Sequence, residues 1–157
     1  MTKGKSPSES RVEMTQLVLP EHTNALGTIF GGHIMAWIDT AASICAFRHS
    51  RQQCVTASMD TLDFISPVKV GHIVILQANV NFTGKTSMEV GVKVTSEDPL
   101  TGKKNLTASA YVTMVAIDAT GKPAPIPPVA PQTAEEKKWF LRGQKRREER
   151  LARVKAG

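Results

Sequence analysis

Cysteine is scarce in this chain, and long hydrophobic runs are missing from it. Two cysteines, Cys45 and Cys54, cannot build a disulfide framework. Cys45 lies inside an apolar run, where a buried free thiol is the expected state. No apolar stretch approaches the roughly 18 residues that span a bilayer. The opening MTKGKSPSES lacks the apolar centre of a secretion signal. These gaps together predict a cytoplasmic protein without a transmembrane segment. Tyrosine occurs once, and the aromatic signatures of RNA-binding modules are absent. There is no G-x-S-x-G elbow and no Walker loop. The four histidines and two cysteines lack metal-ligand spacing, so no metal is expected.

What is present fits one globular domain. At 157 residues the chain can bury one core but not two. The formal charge is +6, and its placement is uneven. Residues 130–157 hold nine Lys/Arg and four Glu, a net of +5, which leaves +1 for the other 129 residues. The basic character therefore belongs to a tail. Such a tail is either a solvated helix face or an attractor for polyanions. The first is expected, and a nucleic-acid partner is not.

Residues 1–10 read as a disordered leader. Residues 12–19 read as a first strand stopped by Pro20. A glycine-rich turn, EHTNALGTIFGG, leads into HIMAWIDTAASICAFRHS, a helix with apolar residues over most of its circumference and hence a buried one. After Gln53 the period changes to two. Four strands follow: one around Val55, Ala57 and Met59, one over 73–82, one over 88–95 and one over 106–114. Turn signals at Ser66-Pro67, Gly84-Lys85 and 98–102 separate them, and the short links favour antiparallel neighbours. The class is α+β, with a curved sheet around one helix. The run GKPAPIPPVAP serves as a stiff linker. Thr133 and Glu136 then form a capping box that opens a basic C-terminal helix. That helix is expected to dock through Trp139 and Phe140 and to stay wet beyond them.

Asp39 is the most informative residue. A carboxylate in the middle of an apolar helix is costly to bury without partners. Met35, Ala36, Ala42 and Ser43, one turn away, are mostly small and leave space beside it. A general base or nucleophile fits this setting, and so does a buried aspartate capping a loop. Gly31 and Gly32 at the helix start present free backbone N–H groups at the positive end of the helix dipole, suited to an oxyanion or needed only for a turn. Asn24, Thr28 and His33 lie near the same entrance.

The segment PEHTNALGTIFGGHIMAWIDTAA closely resembles the acyl-CoA thioesterases of the hotdog superfamily. VTASMDTLDFISPVKVGHIV, VNFTGKTSMEVGVKV and ASAYVTMVAID continue the match in order, so that it covers residues 11–128. Residues 129–157 then form a linker and the basic helix. The resemblance implies a hotdog fold, a long central helix wrapped by an antiparallel sheet. It implies dimers, assembled further as trimers of dimers into a homohexamer, with active sites at the dimer interface. It implies hydrolysis of fatty acyl-CoA to free fatty acid and CoA, with no cofactor beyond the coenzyme A of the substrate. By the motif match, Asp39 is the catalytic acid residue, Asn24 a catalytic amide, and the Gly31-Gly32 backbone the thioester carbonyl site. Thr28 stands where some relatives carry Asp or Asn, and is auxiliary. Gly84, Lys85, Thr86 and Ser87 resemble the segment that contacts the CoA portion, with Lys85 suited to a phosphate. The contrasting expectation is a non-catalytic acyl-CoA sensor or carrier, which the pairing of Asp39 with Asn24 disfavours.

Overall fold

The computed structural model describes residues 3–156. Its elements are β1 (Val12–Leu17), α1 (Gly31–Ser50), β2 (Gln53–Phe64), β3 (Ile73–Thr83), β4 (Ser87–Glu97), β5 (Lys104–Ile117) and α2 (Ala134–Ala156). The five strands form one antiparallel sheet in the order β1-β3-β4-β5-β2. Alternate residues of β3, β4 and β5, such as Leu76, Val90 and Val112, point to one face and are fully buried there. α1 lies across that face. Its contact side is Ile34, Ile38, Ala41, Ala42, Cys45 and Ala46, all at most 1% exposed. The alanines let the helix sit close to the strands, and each buried isoleucine contributes about 2–3 kcal/mol by leaving water. Register shifts in the β3–β4, β4–β5 and β2–β5 pairs bend the long strands around the helix. Both cysteines are free and buried.

Several features differ from the reading of the sequence. First, β2 does not neighbour β3. It pairs with β5 at the far edge, because the chain emerging from α1 meets the curled sheet from the other side. Second, the first strand ends at Leu17, before the short turn Pro20–His22, and α1 begins two residues early, at Gly31. Third, the leader is part of the fold from Lys5 onward. Lys5 exchanges backbone hydrogen bonds with Pro128 and Ala130, and Ser10 is fully buried. Met1 and Thr2 lie outside the described residues.

Fourth, the proline-rich run is laid along the domain rather than spanning a gap. Ala124 and Ile126 donate backbone hydrogen bonds to Ala116 and Lys85, and Val129 donates to the Thr83 hydroxyl. His49 Nε2 lies 2.7 Å from the Pro127 carbonyl. A carbonyl only accepts, so Nε2 carries the proton. Burial pushes the His49 pKa down. Fifth, α2 stays docked well past Phe140. Its capping box forms as expected, with Glu136 N–H donating to Thr133 Oγ1 at 3.0 Å and Thr133 N–H donating to Glu136 Oε1 at 3.3 Å. Phe140 then packs against Phe82, ring centroids 5.0 Å apart. Further on, Arg146 makes a two-pronged bond to Glu89 at 2.9 and 2.6 Å and stacks on Tyr111. Only from Leu151 is the helix wholly exposed.

α1 is also not covered on every side. Met35, Asp39, Ser43 and Phe47, spaced by four and hence in line on one face, form a partly open stripe that meets the edge strand β2 at Asp39. Met35 is 43% and Phe47 is 40% exposed.

Candidate active site

Asp39 stands in the middle of that open stripe, half-buried. Its one hydrogen-bond partner among the described residues is Thr56 on β2, whose hydroxyl donates to Asp39 Oδ1 at 2.6 Å. The Met114 sulfur lies 3.4 Å from the same hydroxyl. The short bond to a charged acceptor orients the carboxylate and leaves Oδ2 without a protein donor. A carboxylate held by one oxygen with the other free has the geometry of a general base or a nucleophile.

Thr56 escaped the reading of the sequence for a definable reason. Read by alternation, Val55, Ala57 and Met59 share the inner face. The β2–β5 register breaks between Thr56 and Ser58. Before the break Cys54 and Thr56 lie on the helix side of the sheet, Thr56 opposite the buried Met114 yet itself exposed at the edge, and Val55 is 46% exposed. After it the phase reverses, and Met59 pairs opposite the buried Val112. One extra residue in an edge strand turned the threonine toward the helix.

Asn24 sits in a tight loop closed by its own backbone, with Asn24 N–H donating to Thr28 O and Gly27 N–H to Asn24 O. Its side-chain oxygen accepts from Leu26 N–H at 2.9 Å and from the Thr28 hydroxyl at 3.3 Å. Thr28 therefore fixes the Asn24 amide, and Asn24 is exposed, with no acceptor at Nδ2 among the described residues. Gly27, at φ +77°, supplies the left-handed residue that the loop needs.

At the start of α1 the cap residue is Phe30, which gives no side-chain hydrogen bond. His33 N–H bonds back to Phe30 O, while among the described residues no backbone acceptor meets the N–H groups of Gly31 and Gly32. A methyl on Gly31 would sit 3.3 Å from the Phe64 ring, so glycine lets that ring close over the helix end. Beside it an open cavity of about 300 Å³ is lined by Ile29, Gly31, Ile34, Phe64, Ile65, Ser66 and Pro67. It is mainly apolar. His22 packs edge to face on both His33 and Trp37, and His33 lies tilted against Trp37. His22 Nδ1 accepts from Leu19 N–H, which leaves its proton on Nε2.

The expected site residues thus fall into separate groups. Asn24 and Thr28 touch, and Asp39 has gained Thr56. Gly32 and Asp39 lie seven residues apart on one helix, so about 10 Å of helical rise separates the carbonyl donors from the carboxylate of the same chain. Within one chain, then, Asp39 and the glycine amides stand at separate places along the helix. Gly84, Lys85, Thr86 and Ser87 form the β3–β4 turn, closed by Gly84 N–H to Ser87 O. Thr56 pairs with Met114, and Met114 pairs with Met88 next to that turn. Two strand spacings, about 10 Å, therefore lie between Thr56 and the turn. Among the described residues no group of His, Cys, Asp and Glu is placed to hold a metal ion.

An antiparallel sheet curled around one long helix, with the carboxylate at its open side, defines the hotdog class of thioesterase folds. The family model of the thioesterase superfamily matches residues 26–103. An uncharacterized acyl-CoA thioester hydrolase, YkhA, of Bacillus subtilis is 48% identical over 82% of this chain and 74% of its own length. A solved apo-hexameric acyl-CoA thioesterase superposes with a TM-score of 0.94 at 46% identity, covering 97% of both chains. Acyl-CoA hydrolase from Staphylococcus aureus, solved with butyryl coenzyme A, coenzyme A and coenzyme A disulfide, superposes at 0.90 with 42% identity, covering 96% of this chain and 92% of that one. The same enzyme has been solved with an asparagine, an aspartate or a threonine replaced by alanine. The chain belongs to the thioesterase superfamily, and within it to the hotdog-fold acyl-CoA thioester hydrolases.

Proposed function

We propose that this protein hydrolyses fatty acyl-CoA to fatty acid and CoA in an active site shared by two copies of the chain, with Asp39 as general base or nucleophile. The observation that carries this is the placement of Asp39. It is held by Thr56, has one oxygen free, lies on an uncovered stripe of α1, and is about 10 Å from its own helix start. A second copy supplies what one chain lacks. A two-fold axis crossing α1 midway between Gly32 and Asp39, at the exposed Met35 and Ala36, sets the glycine amides of one copy against the carboxylate of the other. β2 supports that pairing, because it is an edge strand whose outer backbone groups are free to continue the sheet into the second copy. The hexameric relative supports further assembly, which we read as a trimer of such dimers.

The chemistry follows from the groups. The thioester carbonyl accepts from the N–H groups of Gly31 and Gly32, and the Asn24 amide donates beside them. Asp39 of the other copy either removes a proton from the attacking water or attacks the carbonyl itself to give an anhydride that water opens. Either route builds negative charge on the carbonyl oxygen, where a fixed donor is worth about a hundred- to a thousandfold in rate. The departing thiolate is a stable anion, since a thiol pKa is about 8.5, and needs no strong acid. The apolar cavity at Phe64 and Ile65 receives the start of the acyl chain. We place the enzyme in the cytoplasm, in keeping with its two buried free thiols.

The test is thiol release from a panel of saturated acyl-CoAs, with Asp39→Ala alongside. Loss of about a thousandfold or more in kcat, roughly 4 kcal/mol of barrier, with the oligomer intact, is expected. Near-normal turnover by that variant sinks the assignment.

A further inference from the structure

We infer that α2 is part of the substrate site: Arg147 and Arg150, with Lys85 of the β3–β4 turn, form a cationic cradle for the phosphate groups of the CoA nucleotide. The inference rests on the acyl-CoA reading and adds to it residues outside the domain that the resemblance covers.

Three observations carry it. The first is contact. The Arg147 guanidinium carbon lies 3.0 Å from the point where a side chain on Gly84 would begin, and the Ser87 hydroxyl lies 3.2 Å from the same point. Glycine at that position lets the guanidinium rest on the turn. Arg150 Nη1 donates to Thr113 Oγ1 in the same crevice, which Gly84, Ser87, Thr113, Arg147 and Arg150 line together.

The second is charge. The neighbouring Arg146 is neutralised by Glu89, and Arg153 approaches Asp60 at 3.8 Å. Among the described residues no carboxylate comes within 4.0 Å of Lys85, Arg147 or Arg150. Glu89 borders the crevice but is taken up by Arg146 and by Asn81, which donates to it at 3.0 Å. Gathered cations without a counter-charge repel one another and favour an anion between them. Arginine's planar fork suits phosphate oxygens.

The third is an unmet donor. Among the described residues no acceptor meets the buried Arg147 Nε, which is costly for a charged group. The crevice sits at the tip of the β3–β4 hairpin, about 10 Å across the strands from Thr56. A thioester lying at Asp39 thus has the phosphate end of its CoA within reach of the turn.

The experiment compares an acyl-CoA with the same acyl group on N-acetylcysteamine, which has no phosphates. Arg147→Met keeps an unbranched apolar stem and removes the charge together with the approach of the guanidinium to the Phe82 ring, Arg147→Lys keeps a charge, and Arg150→Gln and Lys85→Gln are separate tests that do not depend on how the Met variant folds. We expect Arg147→Met and Arg150→Gln each to raise KM for acyl-CoA about tenfold, one lost charge-assisted contact, with partial recovery in Arg147→Lys. No matching rise is expected for the N-acetylcysteamine thioester. Salt should raise the wild-type KM for acyl-CoA more than that of the variants. An acyl-dephospho-CoA arm tells the 3′-phosphate from the diphosphate as the group held. Unchanged KM for acyl-CoA, or equal rises for both thioesters, overturns the cradle while leaving the hydrolase reading standing. Wild-type protein that cleaves neither thioester overturns both.

Discussion

The two helices lie on opposite faces of one sheet and are held there by different forces. α1 is secured by volume: isoleucines, alanines and a cysteine fill the curl of the strands with almost no exposed surface. α2 is secured by a few polar and aromatic anchors. Arg146 binds Glu89, Phe140 meets Phe82, Arg150 meets Thr113, and Gly143 brings its backbone close to Phe82 and Glu89. The inner helix is thus a rigid support for a carboxylate that needs exact placement. The outer one is a charged strap in which Arg147 and Arg150 have no carboxylate partner among the described residues.

That contrast is open to attack from either side. Ile38→Ala in α1 leaves a cavity in a fully closed core and should lower the unfolding free energy by about 3–5 kcal/mol, measured by denaturant melts. Glu89→Ala strands a partly buried guanidinium and should cost about 3 kcal/mol, with new protease cleavage confined to α2. Equal loosening of both helices in that variant would deny that they are separately held. Thr56→Val removes the bond that aims Asp39 and should lower kcat about tenfold, roughly 1.4 kcal/mol, with little change in the melting temperature.

The smallest effect concerns pH. Burial keeps the folded pKa of His49 below its ordinary 6.5. Above 6.5 the ring is neutral in both states, so stability is complete there. As pH falls below 6.5 the unfolded chain takes up a proton that the folded chain refuses, and stability declines toward the folded pKa. Burial pushes the Cys45 thiol up to about 12 from 9.0, so stability should likewise fall as pH rises above 9.0. His49→Gln should flatten the acid side and Cys45→Ala the alkaline side of a melting-temperature profile.

Much of this was legible beforehand. Period-two alternation at Met88, Val90, Val92 and Val94 marks β4 because its inner face is all core. The capping box at Thr133 and Glu136 marks the start of α2 because its chemistry is local. Asp39 stood out because charge in an apolar helix has few reasons to exist. What escaped depends on pairing that no local pattern carries. The bulge that turns Thr56 inward changes the phase within a single strand. The placement of β2 beside β5 follows from the curl of the whole sheet. The docking of Arg146 needs Glu89, 57 residues earlier, on an outer face that alternation marks as solvent. The leader reads as polar and loose, yet Lys5 is fixed by the proline-rich run, more than a hundred residues away in sequence.

The central claim, that each site takes its carboxylate from one copy and its carbonyl donors from another, is tested most directly by co-expressing two inactive variants, Asp39→Ala and Asn24→Ala. Random pairing makes half the dimers mixed, and each mixed dimer carries one site with both residues intact and one with neither. About a quarter of wild-type activity should therefore return if the dimer is two-fold symmetric. Activity no greater than that of the separate variants, in oligomers shown to be mixed, would mean that Asp39 and Asn24 serve the same chain.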